Sequence, residues 1–151
     1  GQTNSQPSTV AAMLSLLEPF PGMRVLDVGS GSGWTSAILG ELGGPDSSVS
    51  AVELVPELVE RSRAAIRQPW VRVHPAEPGT LGLPSLAPFD RILVSAMADD
   101  LPSELVDQLT VDGVMVAPWA GVMHRVRRTD DGIDVTEHGG YRFVPLLHTR
   151  F

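Results

Sequence analysis

The stretch Val25-Leu26-Asp27-Val28-Gly29-Ser30-Gly31-Ser32-Gly33-Trp34 constrains the fold more than any other part of the chain. The apolar run over 23–28 reads as a buried strand. It passes through three alternating glycines straight into a helical pattern, Thr35-Ser36-Ala37-Ile38-Leu39. A glycine turn between a parallel strand and a helix lets a ligand come close to the backbone, because no Cβ stands in the way. The helix N-terminus adds free N–H groups. Such a turn points to an α/β protein with a site for a nucleotide-like molecule.

The rest of the chain agrees with that class. Val10, Met13, Leu14 and Leu17 fall on one helical face after Ser8 or Thr9, and Pro19 and Pro21-Gly22 end the helix. A helix over about 34–42 follows the glycine turn, then a strand at Val49-Ser50-Ala51-Val52-Glu53 and a helix over about 56–66. Trp70-Val71-Arg72-Val73-His74 is a third strand, and 75–88 is a loop rich in proline and glycine. A fourth strand over 89–95, a helix over about 102–109 and a fifth strand over 113–118 come next. Segments 123–128 and 133–137, joined by Asp130-Asp131-Gly132, read as a hairpin, and 141–147 as a last β segment. Alternating strands and helices predict a doubly wound, three-layer α/β/α fold of Rossmann type. The late hairpin predicts an antiparallel edge on the mostly parallel sheet.

Composition narrows the chemistry. The 151 residues suit one domain and can bury roughly 70% of the unfolded surface. There is no cysteine, so disulfides, thiolate metal sites and a cysteine nucleophile are excluded. His74, His124, His138 and His148 lack ligand spacing, so no metal is expected. The formal net charge of -7, with arginine as the only strong base, argues against non-specific binding to nucleic acid or anionic membrane. No signal peptide or apolar span is visible, so a cytoplasmic location is expected.

The glycines run G-x-G-x-G, with Trp34 standing where a dinucleotide fingerprint places its third glycine. With Asp27 two positions ahead of Gly29, this resembles motif I of the S-adenosylmethionine-dependent methyltransferases. Glu53 ends the second strand about 20 residues on, the spacing at which a carboxylate meets ribose hydroxyls. The rival reading of Glu53 is a solvated strand end, and that of the glycines a tight turn with no ligand.

Several further stretches resemble the protein-L-isoaspartate O-methyltransferase family. Gly1-Gln2-Thr3-Asn4-Ser5-Gln6-Pro7 is similar to its opening segment, and Val52 to Glu60 to its second motif. Ala87-Pro88-Phe89-Asp90, Leu101-Pro102, Gln108-Leu109 and 113–118 follow its later motifs in order, and Arg142-Phe143-Val144-Pro145-Leu146 resembles its ending. Two positions depart: Asn4 replaces an isoleucine, and Pro78 falls where the family carries the aspartate of its adenine pocket.

The resemblance implies one methyltransferase domain over 1–151, without the family's N-terminal helical segment. It implies S-adenosylmethionine as cofactor, S-adenosylhomocysteine as product and an isoaspartyl protein or peptide as partner, met by a monomer. It assigns Asp27, Gly29, Ser30, Gly31, Gly33, Glu53, Leu54, Glu77 and Gly79 to the cofactor, with Glu77 standing in for the missing aspartate by a one-residue shift. It assigns Asn4 and Ser5 to the substrate, Ser5 being the catalytic hydroxyl that orients a carboxylate. The residues alone read Ser5 as a turn or cap serine. Asp99-Asp100, after the fourth strand, would repel an anionic acceptor or else cap the next helix. Arg125, Arg127 and Arg128 are expected on a solvated strand face, and Trp34 and Trp119 in the core or else beside the cofactor. Two alternatives stay open: the same fold acting on another acceptor, and a degenerate domain that only binds S-adenosylmethionine or a partner.

Overall fold

The computed structural model describes residues 6–146; Ser5 and Asn4 lie outside the described residues. Seven strands form one sheet: β1 (Arg24–Val28), β2 (Ser48–Glu53), β3 (Val71–Pro75), β4 (Phe89–Val94), β5 (Leu109–Trp119), β6 (Val122–Thr129) and β7 (Gly132–Gly140). Four helices accompany them: α1 (Pro7–Leu17), α2 (Trp34–Gly43), α3 (Pro56–Ala65) and α4 (Ser103–Val106). The strand order is β3-β2-β1-β4-β5-β6-β7. The first five run parallel, and β6 and β7 add antiparallel at one edge. This is the α/β class expected from the alternation of elements.

Strand alternation sorts the core into two faces. Val25, Val49, Val71, Leu93, Val114 and Val116 meet Met13 and Leu17 of α1 and Leu39 of α2. Leu26, Val28, Ile92, Val94, Met115 and Ala117 point the other way, toward Leu81, Leu105 and Leu109. The second face is therefore covered by the 76–88 segment, one 3-10 turn at Pro84–Leu86 and the short α4.

Local chemistry sets the helix ends. α1 stops at Glu18, whose φ of 55° is left-handed and whose N–H donates to the Leu14 carbonyl at 3.1 Å. Arg91 donates to the Glu18 carbonyl, and Arg125 donates to the Leu16 carbonyl and pairs with the Glu18 carboxylate at 2.6 Å. These contacts pin the C-terminal end of α1 to β4 and β6. α3 opens with Pro56 at its first turn and Glu57 just after, both suited to a helix N-terminus.

Three expectations need correction. The helix expected over about 102–109 is only Ser103–Val106, because Leu109 is drawn into β5 opposite Phe89. β5 starts earlier than expected and is irregular: Phe89↔Leu109 and Arg91↔Val114 leave extra residues on β5, with Asp112 at φ 69°. The segment over 141–146 is not a strand; Val144 and Leu146 make two backbone bonds to Met97 at 2.7 and 2.8 Å and one isolated bridge. The hairpin takes up strand length instead, since β7 reaches Gly140.

Side-chain expectations also shift. Trp34 is 41% exposed rather than in the core, while Trp119 packs against the second-face cluster and stacks on His124 at 3.5 Å. The late arginines are tied down more than a solvated face would be: Arg128 donates to three carbonyls, at Val106, Asp107 and Leu109, and Arg127 pairs with Asp112.

Candidate active site

β2 lies to one side of β1 and β4 to the other, so the chain reverses its winding between β1 and β4. In open α/β sheets that switch point opens a crevice beyond the carboxyl ends of the strands. A cleft of about 430 Å³ lies there. Val28 and Gly29 at the end of β1, Val52 to Pro56 at and after the end of β2, and Ser95 and Ala96 after β4 line it. Ala76, Pro78 and Thr80 to Gly82 form a further wall, and Val144 to Leu146 the last.

The glycine turn earns its glycines separately. Gly29, Gly31 and Gly33 have φ of 76°, 58° and 90°, the left-handed region that a side chain resists. Gly29 lines the cleft. Gly33 serves packing: a Cβ there would sit 2.7 Å from the Ser62 Cβ and 3.0 Å from Ile66 on the α3 side. The close approach of the glycine turn to α3 depends on its absence.

Two carboxylates hold this half. Glu53 is 6% exposed; its Oε1 accepts the Gly31 N–H at 2.8 Å and its Oε2 the Val55 N–H at 2.9 Å. It thereby joins the glycine turn to the start of α3. Asp27 is wholly buried behind the turn and accepts the Ser36 hydroxyl of α2 at 2.6 Å. Its pKa is pushed up to about 6, chiefly by burial; the Ser36 bond opposes this and the nearby Glu53 charge adds to it. Asp27 Oδ1 and Ser30 Oγ are buried without a partner among the described residues.

The opposite wall is built by a turn. Thr80 N–H donates to the Glu77 carbonyl at 3.0 Å, and Gly79 has φ 81°. Pro followed by left-handed Gly between those two residues is the pattern of a type II turn. It sends Pro78 and Thr80 into the cleft wall and leaves Glu77 and Gly79 exposed and outside the lining. Leu54, the remaining residue assigned from sequence, lines the cleft.

Other contributors carried no role in the sequence reading. Gln108, buried at 4% exposure, accepts the Leu83 N–H at 2.9 Å and donates to the Leu81 carbonyl at 2.9 Å. It fixes the 81–83 wall from 25 residues away. Ser36 anchors Asp27, and Val144 to Leu146 close one side of the cleft through their bonds to Met97. The Val-Pro-Leu signature was legible in sequence as a family mark; its place in the cleft was not.

α1 ends beside β4, where Arg91 donates to the Glu18 carbonyl. Asp99 and Asp100 are exposed beyond the end of β4. Among the described residues no three His, Asp or Glu side chains converge as metal ligands, and no helix is long and apolar enough to cross a membrane.

Known proteins share this arrangement. The family model of protein-L-isoaspartate(D-aspartate) O-methyltransferase matches residues 1–150. A protein-L-isoaspartate O-methyltransferase of Methanopyrus kandleri is 45% identical over 97% of this chain, which spans 69% of that relative. The structure of a protein-L-isoaspartate O-methyltransferase superposes with a TM-score of 0.83 at 25% identity, over 94% of this chain and 47% of the other. A homologue of that enzyme from Plasmodium falciparum, solved in complex with S-adenosyl-L-homocysteine, gives a TM-score of 0.85 at 28% identity, over 97% of this chain and 76% of the other. With the glycine turn, the Glu53 anchor and the Val-Pro-Leu wall gathered around one cleft, this chain belongs to the protein-L-isoaspartate(D-aspartate) O-methyltransferase family.

Proposed function

We propose that this chain is one methyltransferase domain that transfers a methyl group from S-adenosylmethionine to the free carboxylate of isoaspartyl residues in proteins or peptides. The observation that carries the reading is the Glu53 carboxylate, buried at the end of β2 and bonded to both the glycine turn and α3 at the mouth of the cleft. Each of its oxygens holds one amide and keeps a second lone pair for a ribose hydroxyl.

The residues present fit the cofactor. The cleft volume of about 430 Å³ lies within the usual range for small-molecule sites. Gly29 and Gly31 give close backbone access, and the orphaned Ser30 Oγ and Asp27 Oδ1 are unused polar atoms at the turn. Asp27 lies behind the turn and favours the cationic methionine end through its charge. Gly33 holds the turn on α3, and Leu54 offers an apolar wall to the base. Glu77 and Gly79 contribute through the turn they build.

When bound, S-adenosylmethionine supplies an electrophilic sulfonium methyl. The acceptor carboxylate has a pKa of about 3.5–4 and is already ionised at pH 7, so no general base is required. The chain's task is to align the carboxylate and exclude water. In this reading the Ser5 hydroxyl donates to the carboxylate, and Asn4 lies beside the acceptor. Both lie outside the described residues. The same reading has a cytoplasmic monomer that acts on protein or peptide and not on nucleic acid. A different acceptor is the second reading, favoured by Asp99 and Asp100, whose charges lie beyond β4 where an anionic acceptor would be repelled.

Labelled S-adenosylmethionine offered with paired peptides, isoaspartyl or aspartyl at one position, tests the proposal. Base-labile label on the isoaspartyl peptide alone is the expected result. Cofactor binding with label on neither peptide favours another acceptor, and no cofactor binding refutes both.

A further inference from the structure

Of the side chains lining the cleft, Glu53, Thr80 and Ser95 are the polar ones. Glu53 is committed to the glycine turn and α3. Ser95 belongs to the β4 side, where its N–H donates to the Val28 carbonyl at 3.0 Å. Thr80 is thus the polar side chain on the wall next to β3. Beyond Glu53, along β2 toward β3, lie Leu54, Val55, Ala76, Pro78 and Leu81, an apolar slot suited to a flat base. The type II turn aims Thr80 into that slot and Glu77 out of it. Among the described residues the Thr80 hydroxyl has no hydrogen-bond partner. Pro78 has no side-chain donor or acceptor to compete with it.

We propose that the Thr80 hydroxyl reads position 6 of the purine, and that this cleft consequently accepts 6-amino and 6-oxo purines with similar affinity. The inference rests on the reading that the cleft holds S-adenosylmethionine. A hydroxyl both donates and accepts, so it accepts from the N6 amino group of adenine and donates to the O6 of hypoxanthine. A carboxylate at the same place accepts from the amino group and repels the oxo group. With Pro at 78 and the base read through Thr80, the contact is a tolerant one.

Calorimetric titration with S-adenosylhomocysteine and S-inosylhomocysteine tests this without any turnover. The wild-type protein is expected to bind both within about tenfold of each other. Thr80→Val weakens both by about three- to tenfold with little change in their ratio, the size of one neutral hydrogen bond. Thr80→Ser restores both. Pro78→Asp raises discrimination against the inosyl compound at least tenfold. Tight binding of the adenosyl compound with a preference above about a hundredfold overturns the Thr80 assignment and leaves the cofactor reading standing. So does an unchanged affinity for both in Thr80→Val. Failure of the wild type to bind the adenosyl compound overturns the cofactor reading itself, and the Thr80 assignment with it.

Discussion

The two walls of the cleft are held in different ways. The glycine wall is woven into the fold. Asp27 is tied to α2 through Ser36, Glu53 bonds the turn and α3 together, and Gly33 lets the turn pack on α3. The β3 wall joins a core-anchored part, Leu81 to Leu83 held by Gln108, to a four-residue surface turn over 77–80 closed by one backbone bond, with Glu77 and Gly79 exposed and open space around Gly79. A wall shared with the core cannot change without loss of stability, whereas a wall made by a surface turn can. Pro78 lies on such a surface turn, whereas Asp27 and Glu53 are buried and bonded to the helices.

The largest break in that contrast is expected from Glu53→Ala. It strands the Gly31 and Val55 amides and removes the acceptors that the proposed function assigns to the ribose. Stability should fall by about 2–4 kcal/mol, from two unpaired and partly buried donors. Affinity for S-adenosylhomocysteine should fall more than a hundredfold. Denaturant titration and calorimetry measure the two effects, and a folded variant that binds normally contradicts the role given to Glu53.

Gly33→Ala comes next. Its methyl must enter the Ser62 and Ile66 contact in a left-handed backbone conformation. Strain and overpacking together should cost about 2–5 kcal/mol. Thermal unfolding should show a lowered midpoint.

Asp27→Asn separates stability from binding. The native pKa of about 6 lies above the ordinary value of 3.8, so between those values the folded state binds more protons than the unfolded one. Stability contributed by this group therefore falls as pH rises through that window, and the full penalty is present above pH 6. The shift of about two units corresponds to about 3 kcal/mol. At pH 7.5 the ligand-free Asn variant should be more stable than wild type by up to that amount, with the fall between pH 4 and 6 absent. It should also bind S-adenosylhomocysteine more weakly. Urea unfolding at several pH values checks the first part; a less stable variant at pH 7.5 contradicts it.

Gly79→Ala should have the smallest effect. It shares the left-handed φ of Gly33 but meets no atom within 4 Å. Strain alone leaves about 1 kcal/mol. A cost as large as that of Gly33→Ala would erase the distinction between the two walls.

How much the sequence revealed follows the same line. The glycine turn was legible because strand, turn and helix signals are contiguous and every special φ falls on a glycine. Glu53 was legible from its distance along the chain. The helix over 102–109 misled because Gln108 and Leu109 are apportioned by distant partners: Gln108 serves the 81–83 wall and Leu109 pairs with Phe89. No local pattern encodes either contact. The 141–146 segment has the composition of a strand, yet its backbone bonds go to Gly121 and Met97, which sequence spacing does not reveal. Trp34 follows an N-cap glycine at the start of a helix, where hydrophobicity alone does not tell which way a side chain faces. Glu77-Pro78-Gly79-Thr80 carries a turn signature that was readable in itself. Set against a family motif it drew attention to Glu77, while the turn geometry puts Thr80 in the wall.

The central claim is that both walls face one molecule of cofactor. Amide NMR spectra of the labelled protein during a titration with S-adenosylhomocysteine test it most directly. Saturable shifts should appear together at Gly29 to Gly31, at Val55 and at Thr80, with one shared binding curve. Saturable binding that leaves Thr80 and Val55 unmoved, or that shifts amides remote from the cleft, would contradict it.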